Sequence, residues 1–291
     1  MTSGPRRYRT GLTESARWDA VDLRDGDIVI STPSKCGTTW MQMLCALLIF
    51  QDAELPAPLT SLSPWVDMRL RPMAEVQAQL DGQAHRRFLK THTPLDGLPS
   101  HPGVTYVVVG RDLRDVAVSM AHHRANLNAE VVRGANRTME GWPEVADRVR
   151  GWLDDDRPPE VNLSSLTGTA WHLAGAWDRR ADPAVVLAHY SDLSADLEGE
   201  MRRLAARLEI EVPTDRWPSL VAAATFGQMR ARADVLVPDE RIGLLVDSEA
   251  FFRSGRSGEW RSHLTGADLA RYEDRVRRLL PPDLIAWLER S

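Results

Sequence analysis

Three side chains stand out as able to move charge: Lys35, Lys90 and His92. Of the 36 basic residues only two are lysine, at 35 and 90, and the other 34 are arginine. A chain that uses arginine wherever a positive charge suffices keeps lysine for places where a compact ammonium serves and a wide planar guanidinium does not. A crowded reaction centre is such a place. Lys90 opens the run Lys90-Thr91-His92, just after Phe88 and Leu89. The apolar pair reads as the end of a strand and the polar run as its exit into a loop. In an open α/β sheet, ligand chemistry collects at such strand exits. A loop histidine is by itself more often solvated than catalytic, although an imidazole suits proton transfer at neutral pH.

Lys35 sits in residues 27–48, DIVISTPSKCGTTWMQMLCALL, which read as a buried strand, a tight loop and a helix. Ile28, Val29 and Ile30 suit a strand buried on both faces. Trp40, Met41, Met43, Leu44, Leu47 and Leu48 cover most of a helix surface, so that helix should be packed into the core. A strand that turns sharply into a helix aims several backbone N–H groups at one point, where the helix adds partial positive charge. Gly37 permits close approach, Lys35 adds a full charge, and Thr38 and Thr39 offer hydroxyls. Residues 35–40 therefore read as a phosphate cradle; the plainer alternative is a βα turn with a surface lysine. The loop is not a Walker A sequence, because its lysine precedes the glycine by two and residue 32 is not glycine. Cys36 has two readings. A helix N-terminus and a lysine favour a reactive thiolate, or a small residue simply fits the turn.

Residues 104–110, VTYVVVG, predict a central parallel strand. Arg111 lies just past its end. Ser119 follows eight residues on, about two helical turns, in a helix expected over 116–129. An arginine at a strand exit and a serine on the next helix can converge on one phosphate. His122 and His123 invite a metal reading, but no second cluster with ligand spacing accompanies them, so they read as structural or pocket-lining. Residues 124–165 are polar, with Gly134, a glycosylation-type sequon at Asn136, Gly141 and the acid run Asp154-Asp155-Asp156. They read as a lid or acceptor-gating insert whose acid run is a solvated loop.

Taken together, these motifs resemble those of cytosolic-type sulfotransferases, which use 3′-phosphoadenosine 5′-phosphosulfate (PAPS). TPSKCGTTW resembles the family's 5′-phosphosulfate loop, usually with serine where Cys36 stands; a backbone donor survives that change. Lys90-Thr91-His92, with Pro94 two residues on, resembles the segment that holds the catalytic histidine. Arg111, Asp115 and Ser119 fall on the R-x-x-x-D-x-x-x-S spacing of the 3′-phosphate site. Tyr190-Ser191-Asp192-Leu193 matches a Y-x-D-L/M pattern whose tyrosine contacts the adenosine. Thr225, Phe226 and Met229 lie in a segment resembling the one that encloses adenine. Arg253, Gly255, Gly258 and Trp260 match a glycine-rich signature, R-K-G-x-x-G-x-W-K, with Ser254 replacing its first lysine and Arg261 the later one.

The resemblance implies a single domain, residues 1–291, of α/β class: a mainly parallel sheet flanked by helices, related to P-loop kinases. It implies sulfuryl transfer from PAPS to a hydroxyl or amine of a small-molecule acceptor, without metal, releasing 3′,5′-diphosphoadenosine. On it His92 is the general base. Lys35, the loop amides, Thr38 and Thr39 steady the leaving phosphate, with Lys90 close to the transferring group. Arg111, Ser119, Arg253 and backbone near Ser254 and Gly255 read the 3′-phosphate. The vertebrate dimer motif K-x-x-x-T-V-x-x-x-E would fall on residues 261–270, where only Thr265 fits, so that dimer mode is not expected. Two alternatives are a P-loop kinase using Mg-ATP, against which the missing Walker A lysine argues, and a non-catalytic nucleotide-binding protein of the same fold, against which both lysines and His92 argue.

Composition is compatible with this. A chain of 291 residues, 43% hydrophobic, can bury one large α/β core. A net charge of −5 sets aside bulk attraction to nucleic acid or anionic membranes. Two cysteines without metal spacing, no signal-peptide pattern and no bilayer-length apolar run lead to the expectation of a disulfide-free cytoplasmic protein. Residues 65–80 and 123–165 are too loosely patterned to choose among phenol, sterol, sugar and peptide acceptors.

Overall fold

The computed structural model describes residues 4–132, 144–237 and 242–290; Gly134, the Asn136 sequon and Gly141 lie outside the described residues. Four strands form one sheet: β1 (Ile28–Ser31), β2 (Phe88–Thr91), β3 (Thr105–Gly110) and β4 (Val185–His189). Their order is β2-β1-β3-β4 and every pairing is parallel. Side chains of a strand alternate between its two faces, and here both faces are buried. Val29, Leu89 and Val108 enter one apolar cluster. Ile28, Ile30, Phe88, Val107 and Val109 enter another. The α/β architecture with helices on both sides is therefore as the β-branched runs require. A buried Arg87–Asp27 pair, with Nε 2.9 Å from Oδ1, joins the starts of β1 and β2. Trp18 anchors the N-terminal arm by donating from Nε1 to Thr91 Oγ1 at 3.3 Å.

Helix α1 (Thr38–Phe50) leaves β1 and is buried along most of its length. Helix α2 (Leu113–Ala125) leaves β3 three residues earlier than the apolar pattern predicts, because Asp112 caps it by accepting from the Arg114 amide at 2.9 Å. Helix α3 (Val145–Asp154) falls within the expected insert, yet Val149, Trp152 and Leu153 are buried in the core. Their spacing with Val145 is that of one helix face. This part of the insert is structural. Helices α4 (Leu166–Asp178), α5 (Gly266–Leu279) and α6 (Pro282–Leu288) complete that side. The acid run leads from the end of α3 into a partly exposed loop and carries ion pairs. Asp154 pairs with Arg271 at 2.6 Å, Asp156 with Arg275, both on α5, and Asp155 with Arg157. Among the described residues, no helix is long and apolar enough to cross a membrane.

Candidate active site

The carboxyl ends of β1 and β3 lie side by side, at the point where the strand order reverses. Open α/β sheets bind ligands at such a crevice. A cavity of about 270 Å³ opens there, lined by the loop after β1, the strand exits of β2 and β3, and the chain around Phe251–Glu259. It brings together Lys35, Gly37, Thr38, Thr39, Trp40, Lys90, His92, Arg111, Ser119, Tyr190, Phe226, Met229, Arg253, Ser254 and Gly255. Of the residues expected to hold the nucleotide or act in catalysis, Cys36 and Thr225 do not line it, and neither do the motif residues Asp115, Gly258 and Trp260. The Cys36 side chain is in the core, and burial pushes its thiol up to about 12, so it fits the turn and is not a reactive thiolate. The Thr225 hydroxyl is turned to the Ala222 carbonyl, 2.8 Å away.

The loop after β1 is a concave turn. Lys35 and Gly37 both have left-handed backbones, with φ of 69° and 111°. A left-handed lysine costs about 1–3 kcal/mol and persists where its surroundings hold it. A Cβ on Gly37 would come 3.2 Å from the Tyr190 ring. Thr38 Oγ1 is buried without a hydrogen-bond partner, a hydroxyl placed to donate to an anion's oxygen. The Lys35 ammonium lies 4.2 Å from the Phe251 ring centroid. Burial, with repulsion from Arg111, Lys90 and Arg253, pushes it down to about 7.

Arg111 forms the neighbouring corner. It donates to the carbonyls of Lys35 at 3.1 Å and Arg256 at 3.2 Å, and its plane lies 4.1 Å from the Tyr190 ring centroid. Its Nε is buried without a partner. Asp115, which shares the Arg111–Ser119 spacing, turns away from the cavity. It accepts from the amides of Gly258 at 2.7 Å and Trp260 at 3.4 Å, so α2 holds the glycine-rich loop in place. Arg253 is paired with Glu259, a residue the sequence reading did not single out. Gly255, at φ 65°, lies flat on Phe226: a Cβ there would come 2.4 Å from the ring. Trp40 closes the same end by donating to the Ala224 carbonyl at 2.9 Å, and its ring meets Tyr190 edge-on at 5.3 Å.

His92 lines the same cavity. His92 Nδ1 is 2.6 Å from the Thr32 carbonyl oxygen. A carbonyl only accepts, so Nδ1 carries the proton and Nε2 of the neutral ring keeps its lone pair. Asp67, buried, accepts from the His92 amide at 3.1 Å and the Thr93 hydroxyl at 2.9 Å, fixing this turn. The His92 ring meets Trp65 edge-on at 4.9 Å, and Lys90 Nζ lies 4.0 Å from the same indole centroid. Burial and the Lys90 charge push His92 down to about 3. Trp65, Asp67 and Phe251 had no motif to mark them; each works through a partner distant in sequence. Among the described residues, no group of three or more His, Cys, Asp or Glu side chains could hold a metal ion.

Comparison with known proteins identifies the family. The sulfotransferase domain family model matches residues 25–281. The glycolipid sulfotransferase of Mycobacterium tuberculosis is 42% identical, over 96% of this chain and 93% of that protein. The amine sulfotransferase of Oryctolagus cuniculus is 23% identical, over 88% of this chain and 81% of that one. In fold, the chain is similar to retinol dehydratase in complex with androsterone and the inactive cofactor PAP, with a TM-score of 0.71, 22% identity and coverage of 93% and 87%. It is also similar to a mouse sulfotransferase complexed with PAP, with a TM-score of 0.72, 19% identity and coverage of 94% and 92%. The fold expected from the motifs is thus the one observed, and the chain belongs to the sulfotransferase domain family.

Proposed function

We propose that this sulfotransferase takes its sulfuryl group from PAPS and passes it to a hydroxyl of a small-molecule acceptor, with His92 as general base. The observation that carries the reading is the His92 Nδ1 bond to the Thr32 carbonyl. It leaves a proton-accepting Nε2 in the same cavity as the two lysines. PAPS, when bound, supplies an activated sulfuryl group and a phosphate leaving group. The residues present fit it. The left-handed turn at Lys35 and Gly37, the orphaned Thr38 Oγ1 and the orphaned Arg111 Nε are donors waiting for anionic oxygens.

His92 takes the proton of the acceptor hydroxyl as that oxygen attacks sulfur. Lys35, the amides of residues 37–39 and the two threonine hydroxyls steady the charge that gathers on the leaving phosphate. Lys90, held over Trp65, faces the transferring group. Arg111 and Ser119 hold the 3′-phosphate; Arg253 joins them by exchanging Glu259 for phosphate. These cations supply the charge that a kinase draws from Mg²⁺, so no metal is needed. Two buried, unpaired cysteines suit a reducing compartment, and the cytoplasm is the proposed location.

The 42% identity to a glycolipid sulfotransferase makes a glycolipid hydroxyl the first acceptor to try. The chain would be incubated with PAPS, a glycolipid panel and EDTA, with the products followed by mass spectrometry. The expected result is a sulfated glycolipid and an equal amount of 3′,5′-diphosphoadenosine. Diphosphoadenosine release without any sulfated product would contradict the acceptor class, and transfer that stops with EDTA would contradict the metal-free mechanism.

A further inference from the structure

His123 is the one histidine besides His92 that lines the cavity, among the described residues. Its place repeats that of His92. His92 meets the edge of Trp65, whose face carries Lys90; His123 meets Phe251 edge-on at 6.0 Å, and the Phe251 face carries Lys35. Its Nδ1 is shielded from solvent and has no hydrogen-bond partner. Nε2 is therefore the nitrogen left to face the cavity. Burial, together with the charges of Lys35 and Lys90, holds the ring neutral. A neutral ring has one N–H, and a proton on the shielded Nδ1 would go unpaired, so it belongs on Nε2. The two histidines then offer complementary groups: an acceptor at His92 and a donor at His123. The wall beside them is apolar. Leu12, Trp65, Leu127 and Leu244 line the cavity and belong to one hydrophobic cluster.

We infer that His123 binds a second hydroxyl of the acceptor, next to the one sulfated at His92, and so selects polyhydroxylated head groups on an apolar tail over single hydroxyls. This rests on the donor and base assignments above and names the acceptor chemistry that follows from them. An acceptor with a single hydroxyl would offer the His123 N–H no partner, which is the stronger form of discrimination a site can exert.

The test compares n-octyl β-D-glucopyranoside with 4-octylphenol as acceptors, with PAPS as donor. It uses the wild-type chain, His123→Phe and His123→Gln, and titrates each with 3′,5′-diphosphoadenosine. Phenylalanine keeps the size and removes both nitrogens; glutamine restores an N–H near the Nε2 position. The expected result is a wild-type preference for the glucoside in kcat/KM that falls about tenfold in His123→Phe and returns in His123→Gln, the loss of one neutral hydrogen bond. An unchanged preference in His123→Phe, an equal loss in both variants, or a wild-type preference for the phenol would overturn the inference while diphosphoadenosine binding left the donor site standing. Failure of the wild-type chain to bind diphosphoadenosine would overturn the donor reading and this inference with it.

Discussion

His92 Nδ1 lies 2.6 Å from the carbonyl oxygen of Thr32, the residue that follows β1. That carbonyl sets the His92 tautomer, so on the proposed reading the loop that starts the phosphate cradle also orients the proton acceptor.

His92→Ala should therefore lower kcat by about 10²–10⁴, the usual range for a positioned general base, with little change in diphosphoadenosine affinity. Steady-state rates and calorimetric titration on the same preparation check this. A folded variant that had lost nucleotide binding would remove His92 from the role of base.

Lys35→Arg should cripple turnover although it keeps the charge. The ammonium sits over Phe251 on a left-handed turn, and a wide planar fork does not reproduce the placement of a compact point charge. A fall in kcat of about 10² or more is expected, the size of losing one charge-stabilising donor. An arginine variant with full activity would show that the scarcity of lysine in this chain has no bearing on the site.

Nucleotide binding should take up a proton above neutral pH. Free Lys35 is pushed down to about 7 by burial and by neighbouring cations. A bound anion favours its charged form and raises it. Binding at pH 8 therefore adds a proton that is already present at pH 6, and affinity declines as pH rises through 7. Titrations at pH 8 in two buffers of different ionisation enthalpy read the uptake directly. It should approach one proton in the wild-type chain and vanish in Lys35→Arg.

Gly255→Ala should weaken diphosphoadenosine binding about tenfold or more. Its φ of 65° disfavours any side chain, and the added Cβ would strike Phe226. Gly227, one residue past Phe226, has open space around its would-be Cβ and serves as the matched control. Equal effects of the two substitutions would detach the Gly255–Phe226 contact from nucleotide binding.

The strands and the cradle were legible in the sequence because they are local. Ile28–Ile30 and Val107–Val109 are β-branched runs, and the loop at Lys35–Thr39 lies between a strand and a helix a few residues apart. Helix α3 was hidden because Asp147, Arg148 and Arg150 mask the face formed by Val149, Trp152 and Leu153. The long-range pairings around the site were not legible at all. Asp115 reaches Gly258 across 143 residues, and Lys90 meets Trp65 through a fold contact rather than a period. Arg253 matched its motif, yet its pairing with Glu259 is visible only in three dimensions.

The most direct test of PAPS as donor is calorimetric titration of the wild-type chain with 3′,5′-diphosphoadenosine and, separately, with ATP and Mg²⁺. The expected result is tight binding of the diphosphate and little binding of Mg-ATP, because Arg111, Ser119 and Arg253 favour a 3′-phosphate that ATP lacks. Tight Mg-ATP binding, or binding of neither, would contradict it.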